Sequence, residues 1–292
     1  MALEDRLTGW TGPSSTTEQE KQERTESMIR EAIANHAPFR DCRYLVFAKG
    51  SYRNNTNVRA DSDVDISVQC IEAEYWDEYT KDLHVPCGKY TGLWTPDKLR
   101  TELVAALRAK FPNQVDTSGS TAIQINSGSA RVDADVVPCF SYRYYRSDSQ
   151  AWKGTKIFKT DGGSIVNYPS QQLRNGTEKN KRTKYAYKKA ARILKRLENA
   201  MTGDGTFRDL PSYFVECLAY NCPDHIFSAS TWTATLREML LHIWTALQGD
   251  EPNTGRWIEV NECFFLFHPH QKWTRKDGRE FAAAAWNYLG FK

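Results

Sequence analysis

The stretch Asp63-Val64-Asp65-Ile66-Ser67-Val68-Gln69-Cys70 alternates without a break. Val64, Ile66, Val68 and Cys70 fall on one side, and Asp63, Asp65, Ser67 and Gln69 on the other. A period of two is the signature of a strand, so one face lies on a core and the other carries two carboxylates at the strand's mouth. Aspartate is a poor strand former, and two carboxylates leaving the same face raise each other's pKa unless a cation neutralises them. The chain therefore has to fold around a sheet with something positive at one end. Hard oxygen ligands select Mg²⁺ or Mn²⁺, and magnesium commonly takes one or two carboxylates together with substrate phosphates.

Two further elements fit a phosphoryl-transfer site. Gly50-Ser51 precedes Asp63 by a polar loop; a glycine permits close approach of the backbone to a phosphate, and a serine hydroxyl with neighbouring N–H groups holds phosphate oxygens. A two-metal site needs another carboxylate from a neighbouring strand. Arg131-Val132-Asp133-Ala134-Asp135-Val136-Val137-Pro138 supplies two, Asp133 and Asp135, again on one face. Asp61 reads as a turn residue entering the strand.

Along the chain, residues 1–16 are rich in Gly, Ser, Thr and Pro and read as a loose start, followed by a polar helix over 17–36. Strands are expected at 43–48 and 63–70 and a helix at 96–110. Hairpins are expected around Ser127-Gly128-Ser129 and around Asp161-Gly162-Gly163. The run 141–146, Ser-Tyr-Arg-Tyr-Tyr-Arg, reads as a half-exposed strand or loop. After Pro169 the texture turns helical, at about 177–199, 211–221, 230–248 and 277–288, with Gly249 and Gly290 as stops. The division is a mixed-sheet lobe over 1–170 and a helical lobe over 171–292, with a cleft between. Nine tryptophans read mainly as core.

Seven cysteines without a CxxC pair, no apolar leader and no membrane-length run point to a reducing cytoplasm. Cys263 with His268 and His270 lacks a fourth ligand and reads as core and loop rather than zinc. The net charge is only +3, but ten Lys/Arg against one acid, Glu178, lie between Arg174 and Arg196. Such a local block suits an anionic ligand. On the helix it contains, Lys181, Lys184, Lys188, Arg192 and Lys195 form a rough basic stripe opposite an apolar one.

Gly50-Ser51, then Asp63-Val64-Asp65, then an aspartate directly before Val136-Val137-Pro138, resembles the DNA-polymerase-β-type nucleotidyltransferases. Within them the run 50–66 resembles the cGAS/DncV-like nucleotidyltransferases, the second-messenger oligonucleotide synthetases related to the oligoadenylate synthetases. The likeness continues through 167–180, 187–199 and 211–221, so it spans roughly 45–222. It implies an α+β fold of polymerase-β type, with the active site between catalytic and helical lobes. It also implies that Asp135 is the third aspartate, although Asp133 leaves that choice open.

By the same resemblance, Lys188 contacts the incoming triphosphate, and Ser212 and Tyr213 lie near triphosphate and base. Asp63, Asp65 and Asp135 are expected to hold two Mg²⁺ or Mn²⁺ ions, with Gly50 and Ser51 binding nucleotide. The implied activity joins NTPs into a cyclic di- or trinucleotide with release of pyrophosphate, in antiphage signalling. A downstream effector would read the diffusible product; no membrane or nucleic acid is required, and activation by nucleic acid or a partner protein stays open. Two other readings compete: a template-independent nucleotidyltransferase acting on RNA, protein or a small molecule, and a non-catalytic nucleotide sensor.

Overall fold

The structure is a computed structural model that describes residues 2–13, 15–58, 63–80, 83 and 88–292. Asp61 and Cys87 lie outside the described residues. In chain order the elements are α1 (Leu3–Gly9), α2 (Thr16–Ala34), β1 (Tyr44–Ala48), α3 (Gly50–Arg53), β2 (Val64–Glu78), α4 (Pro96–Lys110), β3 (Val115–Asp116) and β4 (Ile123–Ile125). Then follow β5 (Ala134–Ser147), β6 (Gln150–Phe158), β7 (Ser164–Asn167), α5 (Pro169–Arg182), α6 (Tyr187–Gly203), α7 (Ser212–Asn221), α8 (Trp232–Ala246) and α9 (Arg275–Tyr288). A mixed sheet followed by helices is an α+β arrangement. Among the described residues no helix is long and apolar enough to cross a membrane, and none of the six described cysteines is in a disulfide.

Two compact units share the chain. One comprises Ser15–Arg53 and Ala60–Ser170 and holds the sheet. Its strand order is β1-β2-β5-β4-β3, with β6 pairing β5 farther along and β7 pairing β6. β2 and β5 run parallel at the centre, and the other pairings are antiparallel. The alternation read at 63–70 is borne out in full: Val64, Ile66, Val68 and Cys70 are all buried, in one cluster with Ile29 and Ile33 of α2 and Leu99 and Leu103 of α4. Thr95 caps α4 by accepting the Lys98 N–H, and Pro96 opens it. β2 runs on past Cys70 through a bulge before Glu74, and the tyrosine-rich run 141–146 is the second half of β5. Those extensions pair with each other, a long-range ladder that local pattern does not announce, and that of β5 also turns back into a hairpin with β6.

The other unit comprises Met1–Ser14, Asn54–Arg59 and Gln171–Lys292. Its core packs α6, α7, α8 and α9 around Leu194, Phe214, Leu218, Leu240 and Phe281. The expected single helix at 177–199 is instead two, α5 and α6. α5 ends where the Tyr185 N–H reaches the Asn180 carbonyl and the Lys184 N–H the Lys181 carbonyl, with both residues at positive φ. That paired closure is a Schellman stop, made here without glycine, which is why the sequence did not show it.

The first residues are not a loose start. Leu7 of α1 is 0% exposed in the helical core. The Glu4 carboxylate accepts the Trp232 and Thr233 N–H groups at 2.8 Å, capping the first turn of α8. Leu7→Ala should therefore cost about 3 kcal/mol, the cavity term included, at an unchanged denaturant slope in urea unfolding. A silent substitution would mean that the segment does not belong to the core.

Candidate active site

The pairing of β2 with β5 builds the site. In their parallel register Val64 lies beside Ala134 and Asp65 beside Asp135. The Val64 N–H donates to the Asp133 carbonyl at 3.0 Å, which fixes that register at the mouth of the strands. Because the strands alternate, Val64 and Ala134 enter the core while Asp65 and Asp135 share the opposite face. Asp63, two positions earlier, leaves the same face of the chain and feels Asp135, Asp133 and Asp65 electrostatically.

Gly50 closes the site from the end of β1. It stands at φ +66, which glycine adopts without strain. A Cβ there would fall 2.3 Å from Asp65 Oδ2. Glycine is thus demanded first by the carboxylate beside it, a reason nearer than the approach of a phosphate. The preceding Lys49 donates its backbone N–H to the Asp65 carbonyl at 2.8 Å. Ser51 follows in the first turn of α3. The sequence reading missed Lys49, whose cation sits close enough to favour the ionised form of Asp65; the pairing of Ala48 with Ile66 is the signal that places it there.

The two candidates for the third aspartate part company. Asp133 accepts the Ser127 N–H, closing its own hairpin. It also lines a polar hollow of about 340 Å³ with Lys21 and Arg131. Asp135 Oδ1 is buried and has no hydrogen-bond partner among the described residues. A buried, unpartnered carboxylate oxygen beside a second carboxylate is costly as it stands and suits a cation. Among the described residues no three His, Cys, Asp or Glu side chains converge as a ready-made cage. The donor set is nonetheless of the kind that magnesium takes, one or two carboxylates completed by phosphate and water.

Burial is the largest influence on both Asp63 and Asp65 and pushes their carboxyls above the ordinary value near 3.8, and Asp135 adds to it. Lys49 offsets only part of the rise at Asp65.

The remaining expected site residues all lie in the helical unit. Lys188, in the first turn of α6, is half-buried, and desolvation holds its ammonium below the usual lysine range. Its backbone N–H donates to Asn180 Oδ1 at 3.1 Å. Ser212 is exposed at the start of α7, and the hydroxyl of Tyr213 donates to Glu259 Oε2 at 3.3 Å. The basic stripe is not one solvated face. Lys195 is buried in an ion pair with Glu216 at 2.6 Å, and Arg192 is buried with its guanidinium on the carbonyls of Thr11 and Asn55.

Comparison with known proteins bears on the whole chain. Residues 174–290 match the model of the cGAS/DncV-like nucleotidyltransferase C-terminal helical domain. The cyclic dipyrimidine nucleotide synthase CdnE of Cecembia lonarensis is 35% identical over 99% of this chain and 98% of that protein. The cyclic dipurine nucleotide synthase of Elizabethkingia meningoseptica is 36% identical over 99% of each. The solved structure of Elizabethkingia meningoseptica CdnE cyclic dinucleotide synthase with GTP and Apcpp superimposes with a TM-score of 0.83 at 35% identity, covering 100% of both chains. The chain belongs to the cGAS/DncV-like nucleotidyltransferases and is an enzyme of that class, whose relatives here are cyclic nucleotide synthases.

The raised carboxyl of Asp65 has a consequence for stability. A group that binds its proton more tightly when folded weakens the fold once ionised, so its cost appears as pH climbs from about 3.8 through the raised folded value. Asp65→Asn should therefore gain stability over the parent across that window and keep the gain at neutral pH. Urea unfolding of both proteins between pH 3.5 and 8 (roughly the span in which carboxylates titrate) checks this. A difference independent of pH would show that Asp65 bears no such charge cost.

Proposed function

We propose that the protein joins nucleoside triphosphates into a cyclic di- or trinucleotide with release of pyrophosphate, using Asp63, Asp65 and Asp135 to hold two Mg²⁺ or Mn²⁺ ions. The observation that carries the reading is the register of Asp65 beside Asp135, with the unpartnered Oδ1 of Asp135 buried there. When bound, the divalent cations supply countercharge to the triphosphate and make an acceptor ribose hydroxyl more acidic.

In this reading Gly50 and Ser51 cradle the donor phosphates, while Lys188, Ser212 and Tyr213 bind the nucleotide from the helical unit. Asp135 accepts the proton of the acceptor hydroxyl. The oxygen of that ribose hydroxyl forms the new bond to the α-phosphorus in line, and the bond to pyrophosphate breaks. A second transfer of the same kind within the linear product closes the ring. Relatives at nearly equal identity to this chain are named as dipyrimidine and dipurine synthases, so the fold alone does not set base choice. The diffusible product would serve a downstream effector in the cytoplasm, in antiphage signalling as the family resemblance suggests.

Incubation with all four NTPs and Mg²⁺ or Mn²⁺, without an acceptor, tests the proposal. A nuclease-resistant cyclic product by mass spectrometry is expected; transfer only onto an added RNA, protein or small molecule would refute it.

Two substitutions sharpen the site. Asp135→Asn should abolish product, whereas Asp133→Asn should keep much of the activity, because its carboxylate serves its own hairpin. Pyrophosphate release assays decide between them, and the reverse pattern would move the third ligand to Asp133. Lys188→Ala removes a charge-assisted phosphate contact worth roughly 1.5–3 kcal/mol. Its catalytic efficiency should fall on the order of ten- to a hundredfold in steady-state kinetics. An unchanged value would leave Lys188 as a helix-start residue alone.

A further inference from the structure

The loop that leaves the Gly50-Ser51 turn is held by a buried ionic knot. Thr56 Oγ1 donates to Glu216 Oε2 at 2.6 Å, and Lys195 Nζ reaches the same oxygen at 2.6 Å and Thr56 Oγ1 at 3.4 Å. Thr56 is 0% exposed, and the Lys195 and Glu216 side chains are 2% and 3% exposed. One turn back on α6, Arg192 donates to the Asn55 carbonyl, where the backbone stands at φ +54. Two buried cations and one buried anion are therefore spent on a segment of a few residues.

A buried ion pair is weak evidence for stability, since an apolar pair of the same volume often serves a core as well. What such a pair supplies better is one specified geometry for the polar groups bonded to it. Its three members also stand close along the chain to residues assigned to the transfer site. Thr56 stands three residues past the end of α3, Glu216 lies one helical turn past Ser212 on α7, and Lys195 lies two turns past Lys188 on α6.

We propose that Thr56, Glu216 and Lys195 are positioning residues for nucleotidyl transfer, holding residues 54–58, which follow the Gly50-Ser51 turn and α3, in the conformation that the reaction needs. The inference rests on the assignment of that turn and the aspartates to the transfer site. In this proposal the three act through the chain they hold. A loosened segment would leave NTP binding nearly intact and slow the step that demands alignment, since misplacement of reacting groups is felt in turnover.

Thr56→Val keeps the shape and removes the hydroxyl, leaving Lys195 paired with Glu216. At a temperature where circular dichroism shows it fully folded, its kcat should fall about tenfold, with KM for NTP within about twofold of the parent. Thr56→Ser, which restores the hydroxyl, should recover most of the turnover. The double variant Lys195→Met with Glu216→Leu, an apolar replacement of the pair, should fold and show the same loss of kcat. Parent-like turnover in Thr56→Val, no recovery in Thr56→Ser, or a folded double variant at the parent rate would each overturn the proposal. Failure of the assignment beneath it looks different: Asp65→Asn would then turn over like the parent, and this inference would fall with it.

Discussion

Two strands lie parallel at the centre of the sheet and bring Asp65 beside Asp135, like charge against like charge. Antiparallel neighbours could have been joined by a tight turn, but a parallel pair requires a crossover, and the chain spends α4, β3 and β4 on making it. The buried sides of the same two strands, Val64 and Ile66 beside Ala134 and Val136, lock the register. A slip by one residue would turn the aspartates into the core and the valines outward. The hydrophobic effect thus holds together carboxylates that would otherwise separate, and the resulting charge is the site's working property. Gly50 and Lys49 follow from it. One has no side chain because Asp65 occupies the space, and the other brings a cation that answers part of the charge.

The helical unit shows a second use of buried charge. Lys179, at the end of α5, is buried against Asp224 and the Cys222 carbonyl, and Lys195 against Glu216 and Thr56. The basic block between Arg174 and Arg196 therefore divides by depth. Some of its cations are structural ties with named partners. Lys188 keeps a half-buried ammonium that desolvation holds below its usual range, and an anionic ligand beside it would favour its charged form.

Much of this was legible in the sequence where the signal is local. The alternation at 63–70, the helix at 96–110, and the hairpins β4–β5 and β6–β7 all depend on short-range pattern and formed as read. The run of β2 past Cys70 was not legible, because it is stabilised by β5 across a large sequence separation, while 141–146 had read as strand or loop and is strand. The break between α5 and α6 was hidden because Lys184 and Tyr185 take the left-handed conformation that glycine usually marks. At the site, the spacing of Asp63 and Asp65 announced itself. The choice between Asp133 and Asp135 needed coordinates, since both share a face and only their hydrogen-bond partners separate them. Thr56 gave no signal at all: a threonine in a polar loop discloses nothing of a carboxylate waiting far along the chain.

The central claim is that the carboxylates on β2 and β5 form one cation site. Mn²⁺ binding followed by electron paramagnetic resonance, in the presence of a non-hydrolysable NTP, tests it directly. The parent should bind Mn²⁺ in a form that depends on the protein, and the double variant Asp65→Asn with Asp135→Asn should bind only what the nucleotide itself holds. Equal protein-dependent binding in the parent and the double variant would contradict it.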